Sequence, residues 1–238
     1  MNKQLYYKQY LIPTKIIPDD GYVLTKRTID HIETYNIYCE EVNIINKIKN
    51  NEEGYFDFSK NMIDIGCEHG SYSFILSFNH SYLFDGNKEK LVLAQFNMLL
   101  HNKLDQGSFY CTLLSDKQEN IQYNGFCTSY STYFNEPLSQ TLSSSILDLY
   151  NFNNIGFIKV DVEGMEYKVL KGGLGTIIRN NYPPILFELW DIGKFGMTKE
   201  NHDLLQKLLE DLGYEIFWYW GDHETHLAIH KSQLNNQT

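Results

Sequence analysis

The chain has 238 residues, a formal net charge of −10, 15% aromatic side chains and no block of lysine or arginine. That length admits one principal domain with a full hydrophobic core, and the aromatic content excludes general disorder. The negative balance argues against nucleic acid as the main partner, and no apolar run approaches the roughly 20 residues a membrane span requires.

The first sixty residues are the least regular. Leu5–Ile17 carries β-favouring residues broken by Pro13 and Pro18, and Asp19-Asp20-Gly21 reads as a turn. Tyr35–Asn50 has helical spacing through Ile37, Val42, Ile45 and Ile48. Residues 1–60 are therefore expected to form an extension that packs on a main domain at 61–231, with 232–238 as a tail. From Asn61 strands and helices alternate. The first strand is Met62–Ile65, followed by a helix from Ser71; the second is Tyr82–Asp85. Asn87 is placed to cap a helix with Leu91, Ala94, Met98 and Leu99 on one side. Phe109–Leu114 reads as a third strand, Ser115–Gln140 as loop and Leu142–Leu149 as helix. Phe157–Val160 is the fourth strand, followed by a helix over Met165–Ile178, and Pro184–Leu189 is the fifth. Thr198 caps a helix with Leu205, Leu208, Leu209 and Leu212, closed by Gly213. Tyr214–Trp220 and Thr225–His230, joined by a four-residue turn, read as an antiparallel hairpin. The alternation predicts a largely parallel sheet with helices on both faces.

Ligands in such sheets bind beyond the carboxyl ends of the strands. The run Asp64-Ile65-Gly66-Cys67-Glu68-His69-Gly70-Ser71 places an acid and two glycines between a strand and a helix. This D-x-G-x-x-x-G spacing differs from G-x-G-x-x-G and suits a ligand with both a carboxylate and an ammonium group. Asp85, at the second strand end, would accept hydrogen bonds from both hydroxyls of a ribose. Ser115 and Asp116 fall where a base edge would lie, although a surface turn explains Asp116 nearly as well. Asp161 and Glu188 end the fourth and fifth strands. Glu163 reads equally as an acceptor contact and as a carboxylate at a helix start. His69 is a second base candidate, set against a solvent-facing loop histidine, and His226 borders the acceptor side. Tyr130 and Tyr133 belong to an aromatic, hydroxyl-rich stretch, Tyr123–Phe134, that suits either a sugar site or a loop packing its own rings. The histidines around the last turn are poorly spaced for zinc. Cys39, Cys67, Cys111 and Cys127 have no C-x-x-C pair; Cys67 and Cys111 fall in or beside strands, where buried free thiols are common. With no signal peptide legible, a reducing, cytoplasmic setting is expected.

The segment Ile158-Lys159-Val160-Asp161-Val162-Glu163-Gly164-Met165-Glu166, continued by Val169-Leu170-Lys171-Gly172-Gly173, resembles the signature of the FkbM family of S-adenosylmethionine-dependent methyltransferases. Ile63–Ser73 resembles its glycine loop and Pro184–Glu188 its fifth strand, so the resemblance spans about Tyr55–His230. Phe84-Asp85-Gly86 stands where the family usually has Phe-Glu-Pro, and Cys67-Glu68-His69 where Ala-Asn is frequent. The resemblance implies a class I methyltransferase fold, a seven-stranded Rossmann-like sheet ending in an antiparallel hairpin. It implies S-adenosylmethionine on Asp64, Gly66, Glu68, Gly70, Ser71, Asp85, Ser115, Asp116 and Asp161, and O-methylation of a sugar, glycan or related small molecule. Asp161, Glu188 and His69 are then the catalytic candidates, and Glu163, Tyr130, Tyr133 and His226 the acceptor candidates. Asp161 and Glu188 together would also hold a divalent ion such as Mg2+. A homo-oligomer remains open, as does a second reading, a non-catalytic methyltransferase fold that supports a partner enzyme.

Overall fold

In the computed structural model, which describes residues 5–7, 10–14, 43–123, 140–193, 197–218 and 224–234, the chain divides into two compact units, Met1–Glu52 and Glu53–Thr238. In the first unit, β1 (Leu5–Tyr7) and β2 (Tyr10–Thr14) pair antiparallel, and residues 43–50 form helix α1. The earlier part of the helix expected from Tyr35 lies outside the described residues, as does Tyr123–Phe134 beyond its first residue.

The second unit is built on a seven-stranded sheet. Its strands are β3 (Asn61–Ile65), β4 (Ser81–Asp85), β5 (Gly107–Cys111), β9 (Ile155–Val160), β10 (Ile185–Glu188), β11 (Tyr214–Trp218) and β12 (Thr225–His230), in the order β11-β12-β10-β9-β3-β4-β5. All neighbours among β5, β4, β3, β9 and β10 are parallel, whereas β12 is antiparallel to both β10 and β11, as the terminal hairpin predicts. Every residue of β3 and β9 is buried, the pattern of strands covered on both faces. Because β3 is followed by β4 on one side and has β9 on the other, the chain reverses its direction of winding between β3 and β9. That switch point is where the sheet opens a crevice at its carboxyl edge.

The helices are α2 (Ser71–Ile75), α3 (Lys88–Leu100), α4 (Glu166–Lys171), α5 (Leu174–Arg179), α6 (Lys199–Asp211) and α7 (Lys231–Leu234). Asn87 caps α3 by accepting from the N–H groups of Glu89 and Lys90, and the Thr198 hydroxyl caps α6 by accepting from Asn201 N–H. On α3 the buried stripe is Leu91, Ala94, Asn97 and Met98; Leu99 is 51% exposed instead of facing the core. Asn97 takes the inward place because its Nδ2 donates to the carbonyl of His69 at 2.8 Å. No helix among the described residues is long and apolar enough to cross a membrane.

Four expected elements differ. The strand expected over Phe109–Leu114 breaks after Cys111, where Thr112 N–H donates to Asp85 O and Tyr110 O. The chain then leaves the large sheet as β6 (Leu113–Leu114), which pairs with β8 (Gln140–Ser145). β8 replaces the first part of the helix expected over Leu142–Leu149, whose end survives only as a 3-10 turn at Leu147–Tyr150, and β7 (Asn120–Tyr123) interrupts the expected loop. The serines of β8 favour this pairing because they bond outward to neighbouring chain: Ser143 to Asn120, Ser144 to the carbonyls of Lys117 and Glu119. The single helix expected over Met165–Ile178 is two, broken at Gly172-Gly173. A Cβ on Gly172 would stand 2.1 Å from the carbonyl oxygen of Ser115, so only bare backbone fits where this break meets the smaller sheet. Cys111 is exposed, at the edge strand, whereas Cys67 is buried.

Candidate functional site

The turn after β3 is held by backbone. Gly66 and Cys67 N–H groups both donate to Phe84 O, and Gly70 N–H donates to Cys67 O. Gly66, Glu68 and Gly70 all have left-handed φ values of +70°, +47° and +78°. Gly66 is required for two reasons. Its φ is strained for any side chain, and a Cβ there would lie 1.7 Å from Asp161 O. The turn after β3 and the end of β9 are therefore in backbone contact, with Asp161 N–H donating to Ile65 O at 3.0 Å.

The acids at the strand ends have separate environments. Asp64 is 1% exposed; its Oδ2 accepts from the Ser73 hydroxyl at 2.7 Å, and its Oδ1 lies 3.8 Å from Lys159 Nζ. Burial raises its pKa, and the nearby Lys159 pulls it back. Asp85 is 8% exposed and accepts from Asn87 N–H (2.7 Å) and Glu68 N–H (3.1 Å), which ties the end of β4 to the glycine turn. Lys90 of α3 reaches Glu68 at 3.8 Å, and His69, buried rather than solvent-facing, lies 3.3 Å from the same carboxylate. Ser71 is buried at the start of α2, a single turn of helix.

At the end of β9, the Asp161 side chain is 46% exposed and pairs with Lys159 at 3.2 Å. The chain then passes through two left-handed residues, Glu163 (φ +56°) and Gly164 (φ +97°). Glu166 closes this turn: its Oε1 accepts from Val162 N–H at 3.0 Å and Gly164 N–H at 3.3 Å. Oε2 of Glu163 and Oε2 of Glu188 are buried and find no hydrogen-bond partner among the described residues. Burial raises the Glu163 pKa to about 8, helped by Asp161 and Glu166. Glu188 is raised well above the usual range by burial and then by Asp161, Glu163 and Glu166. Burial likewise lifts Glu166 to about 7, against the pull of its backbone hydrogen bonds. Asp161, Glu163, Glu166 and Glu188 thus form one mutually repelling group across the ends of β9 and β10.

Other candidates are placed differently. Ser115 is fully buried, and Asp116 bonds Lys171 Nζ at 2.8 Å, a contact that lowers its pKa. His226 is 3% exposed, its ring against Phe187 and its Nδ1 3.0 Å from Glu224 O. Tyr130 and Tyr133 lie outside the described residues. Among the described residues no group of three or more His, Cys, Asp or Glu side chains is gathered to hold a metal ion. Sequence reasoning assigned no role to Lys159 or Lys90, and read Glu166 as a structural carboxylate at the start of the helix after β9. The first had a legible signal: a lone lysine inside an apolar strand, Phe157-Ile158-Lys159-Val160.

The solved structures with this architecture include a methyltransferase FkbM from Methylobacillus flagellatus KT (15% identity, 73% of this chain, TM-score 0.54); the chain spans 44% of that protein's length. A candidate methyltransferase of Streptococcus mutans in complex with S-adenosylhomocysteine (10% identity) covers 77% of this chain and 96% of its own, with a TM-score of 0.50. A candidate rRNA methylase from Clostridium thermocellum (9% identity) covers 77% and 92%, also at 0.50. No curated protein matches the sequence. These likenesses establish a class I, Rossmann-like methyltransferase fold. The methyltransferase FkbM domain profile matches residues 59–216, well over half of the sequence, and the chain belongs to the FkbM methyltransferase family.

Proposed function

We propose that this chain is an S-adenosylmethionine-dependent methyltransferase that methylates a hydroxyl oxygen of a sugar, a glycan or a related small molecule. The observation that carries the reading is a convergence at one edge of the sheet. A turn whose Gly66 has no room for a side chain adjoins the strand-end carboxylates Asp85 and Asp161, with Glu188 at the end of the strand next to β9. The residues fit the cofactor: Gly66 and Gly70 leave the backbone uncovered at two points of the turn at the switch point, and each Asp85 oxygen keeps a lone pair for a ribose hydroxyl beyond the N–H it already accepts.

Bound S-adenosylmethionine would supply an electrophilic methyl group on a sulfonium. The chain's own task is then to hold the acceptor oxygen in line and to take its proton. Asp161, half-exposed beside the glycine turn, is assigned to orient the hydroxyl and accept that proton. Glu163 and Glu188 bind protons more tightly than ordinary carboxylates, which lets them hold protons within the same acidic group. His69, enclosed beside Glu68, is assigned to shaping the turn, and Ser115 and Asp116 to the adenine side. Mg2+ commonly takes one or two carboxylates and keeps its waters, so Asp161 and Glu188 suffice for it without a larger ligand cluster.

The test is transfer of labelled methyl from S-adenosylmethionine to a panel of nucleotide sugars, oligosaccharides, lipids and RNA. Label in a sugar hydroxyl is the expected result; label only in RNA or lipid would refute the acceptor class. Tight binding of S-adenosylhomocysteine with no transfer to any acceptor would favour the partner-supporting fold.

A further inference from the structure

Lys159 is a buried cation next to the carboxyl end of β9. Its Cα is in register with Asp64 across the β3–β9 pair, and Asp161 follows two residues later on the same face. Its ammonium donates to the Gly66 carbonyl at 2.8 Å, lies 3.2 Å from Asp161 Oδ2 and 3.8 Å from Asp64 Oδ1, and sits 5.3 Å from the centre of the Tyr72 ring. The residue is 5% exposed. A lysine in this position has lost most of its hydration, a loss that only close opposite charge and hydrogen bonds offset. It hydrogen-bonds the Gly66 carbonyl and forms ion pairs with the two carboxylates. These oxygens come from the strand before the switch point, the turn above it and the strand beyond it.

We propose that Lys159 is a positioning residue for the cofactor: its ammonium fixes the Gly66 carbonyl and the Asp161 carboxylate relative to each other, so that the glycine turn and the reacting edge of β9 are set before ligand arrives. With Gly66 O held inward on the ammonium, the peptide planes that follow are fixed in the left-handed turn. With one oxygen of Asp161 held by the same ammonium, the other is left for the acceptor. The inference rests on the cofactor reading given above and goes beyond it by naming what orders the site.

Two variants separate positioning from mere structure. Lys159→Met leaves Asp64 without its cation and is expected to lower the thermal midpoint as well as affinity. Lys159→Arg keeps a positive charge beside Asp64, but a planar fork cannot reproduce one ammonium shared among three oxygens. It is expected to melt within a few degrees of wild type, to bind S-adenosylhomocysteine about tenfold more weakly by calorimetry, and to show faster amide hydrogen exchange at Cys67–Gly70 but not in α6. Arginine that restores both wild-type affinity and wild-type exchange at that turn would overturn the proposal, whether or not the methionine variant folds. A wild-type chain that binds no S-adenosylhomocysteine would instead defeat the cofactor reading; the exchange comparison would then still decide whether Lys159 orders the turn.

Discussion

Replacing Glu166 by glutamine should change how stability responds to pH. Glu166 is 2% exposed, and its carboxyl holds a proton up to about pH 7 in the folded chain, against an ordinary 4.5. Below about pH 4.5 both folded and unfolded chains are protonated at this position, and it contributes no pH dependence. As pH rises, the unfolded chain releases its proton first, so the folded state binds more protons and stability falls until both are ionised above about pH 7. A gap of roughly 2.5 pH units at about 1.4 kcal/mol each gives a loss of about 3 kcal/mol across that window. Glutamine keeps an oxygen for the Val162 and Gly164 N–H groups but carries no charge to expel. Its own repacking adds a constant offset, so the informative quantity is the slope. Urea unfolding at intervals from pH 4.5 to 8.5 should show wild type losing stability relative to Glu166→Gln by about 3 kcal/mol, nearly all of it before pH 8. Parallel curves for the two proteins would refute the reasoning, as would a wild type whose relative stability rises through this window. Glu163 and Glu188 push the wild-type curve in the same direction, and they remain in both proteins.

Gly66→Ala should destabilise the chain by at least about 2 kcal/mol in chemical denaturation, since it combines left-handed strain with a collision at Asp161 O. Gly164→Ala, where a Cβ meets nothing within 4 Å, should cost only the backbone strain of about 1–2 kcal/mol, and equal losses would contradict the collision. Asp85→Asn keeps an acceptor for one of its two backbone donors and should weaken S-adenosylhomocysteine binding by about 1–3 kcal/mol, read by calorimetry; unchanged affinity would remove Asp85 from the ribose. Asp161→Asn should lower kcat by at least about 100-fold with a thermal midpoint close to wild type, and full turnover on the true acceptor would exclude it from proton transfer. Activity lost to a chelator and restored by magnesium would assign Asp161 and Glu188 to a metal; indifference to chelation would assign Asp161 to metal-free base chemistry.

The parallel strands β3, β4, β9 and β10 were legible because they are short apolar runs with an acid at or beside their ends, and the two long helices because Asn87 and Thr198 cap them in fact as in pattern. What failed to read shares one physical cause. β6, β7 and β8 are short strands whose identity comes from partners far along the chain, and Gln140–Ser145 has no strong local preference to announce them. Likewise, Gly172-Gly173 breaks a helix because of Ser115 in another segment, which periodicity cannot report. At the site, the positions of the acids were readable from strand ends. Their inequality was not: Asp64 is sealed beneath the turn, Asp161 is half-exposed, and Glu163 and Glu188 each keep a buried oxygen with no hydrogen-bond partner among the described residues. Those differences arise from burial and from cross-strand neighbours such as Lys159, and only register supplies them.

The pairing of β7 with β8 has an evolutionary consequence. Tyr123 and Gln140 are the last cross-strand partners of that hairpin, so the chain joining them leaves and returns at one fixed pair of anchor points. Adding residues between such anchors raises closure entropy only logarithmically, by about 0.6 kcal/mol for each doubling in length. The joining segment can therefore lengthen, shorten or be exchanged wholesale while the anchors, the helix break at Gly172 and the crevice floor stay as they are. A lineage built on this frame is free to change the length and sequence between Tyr123 and Gln140 while inheriting the rest of the machinery unchanged.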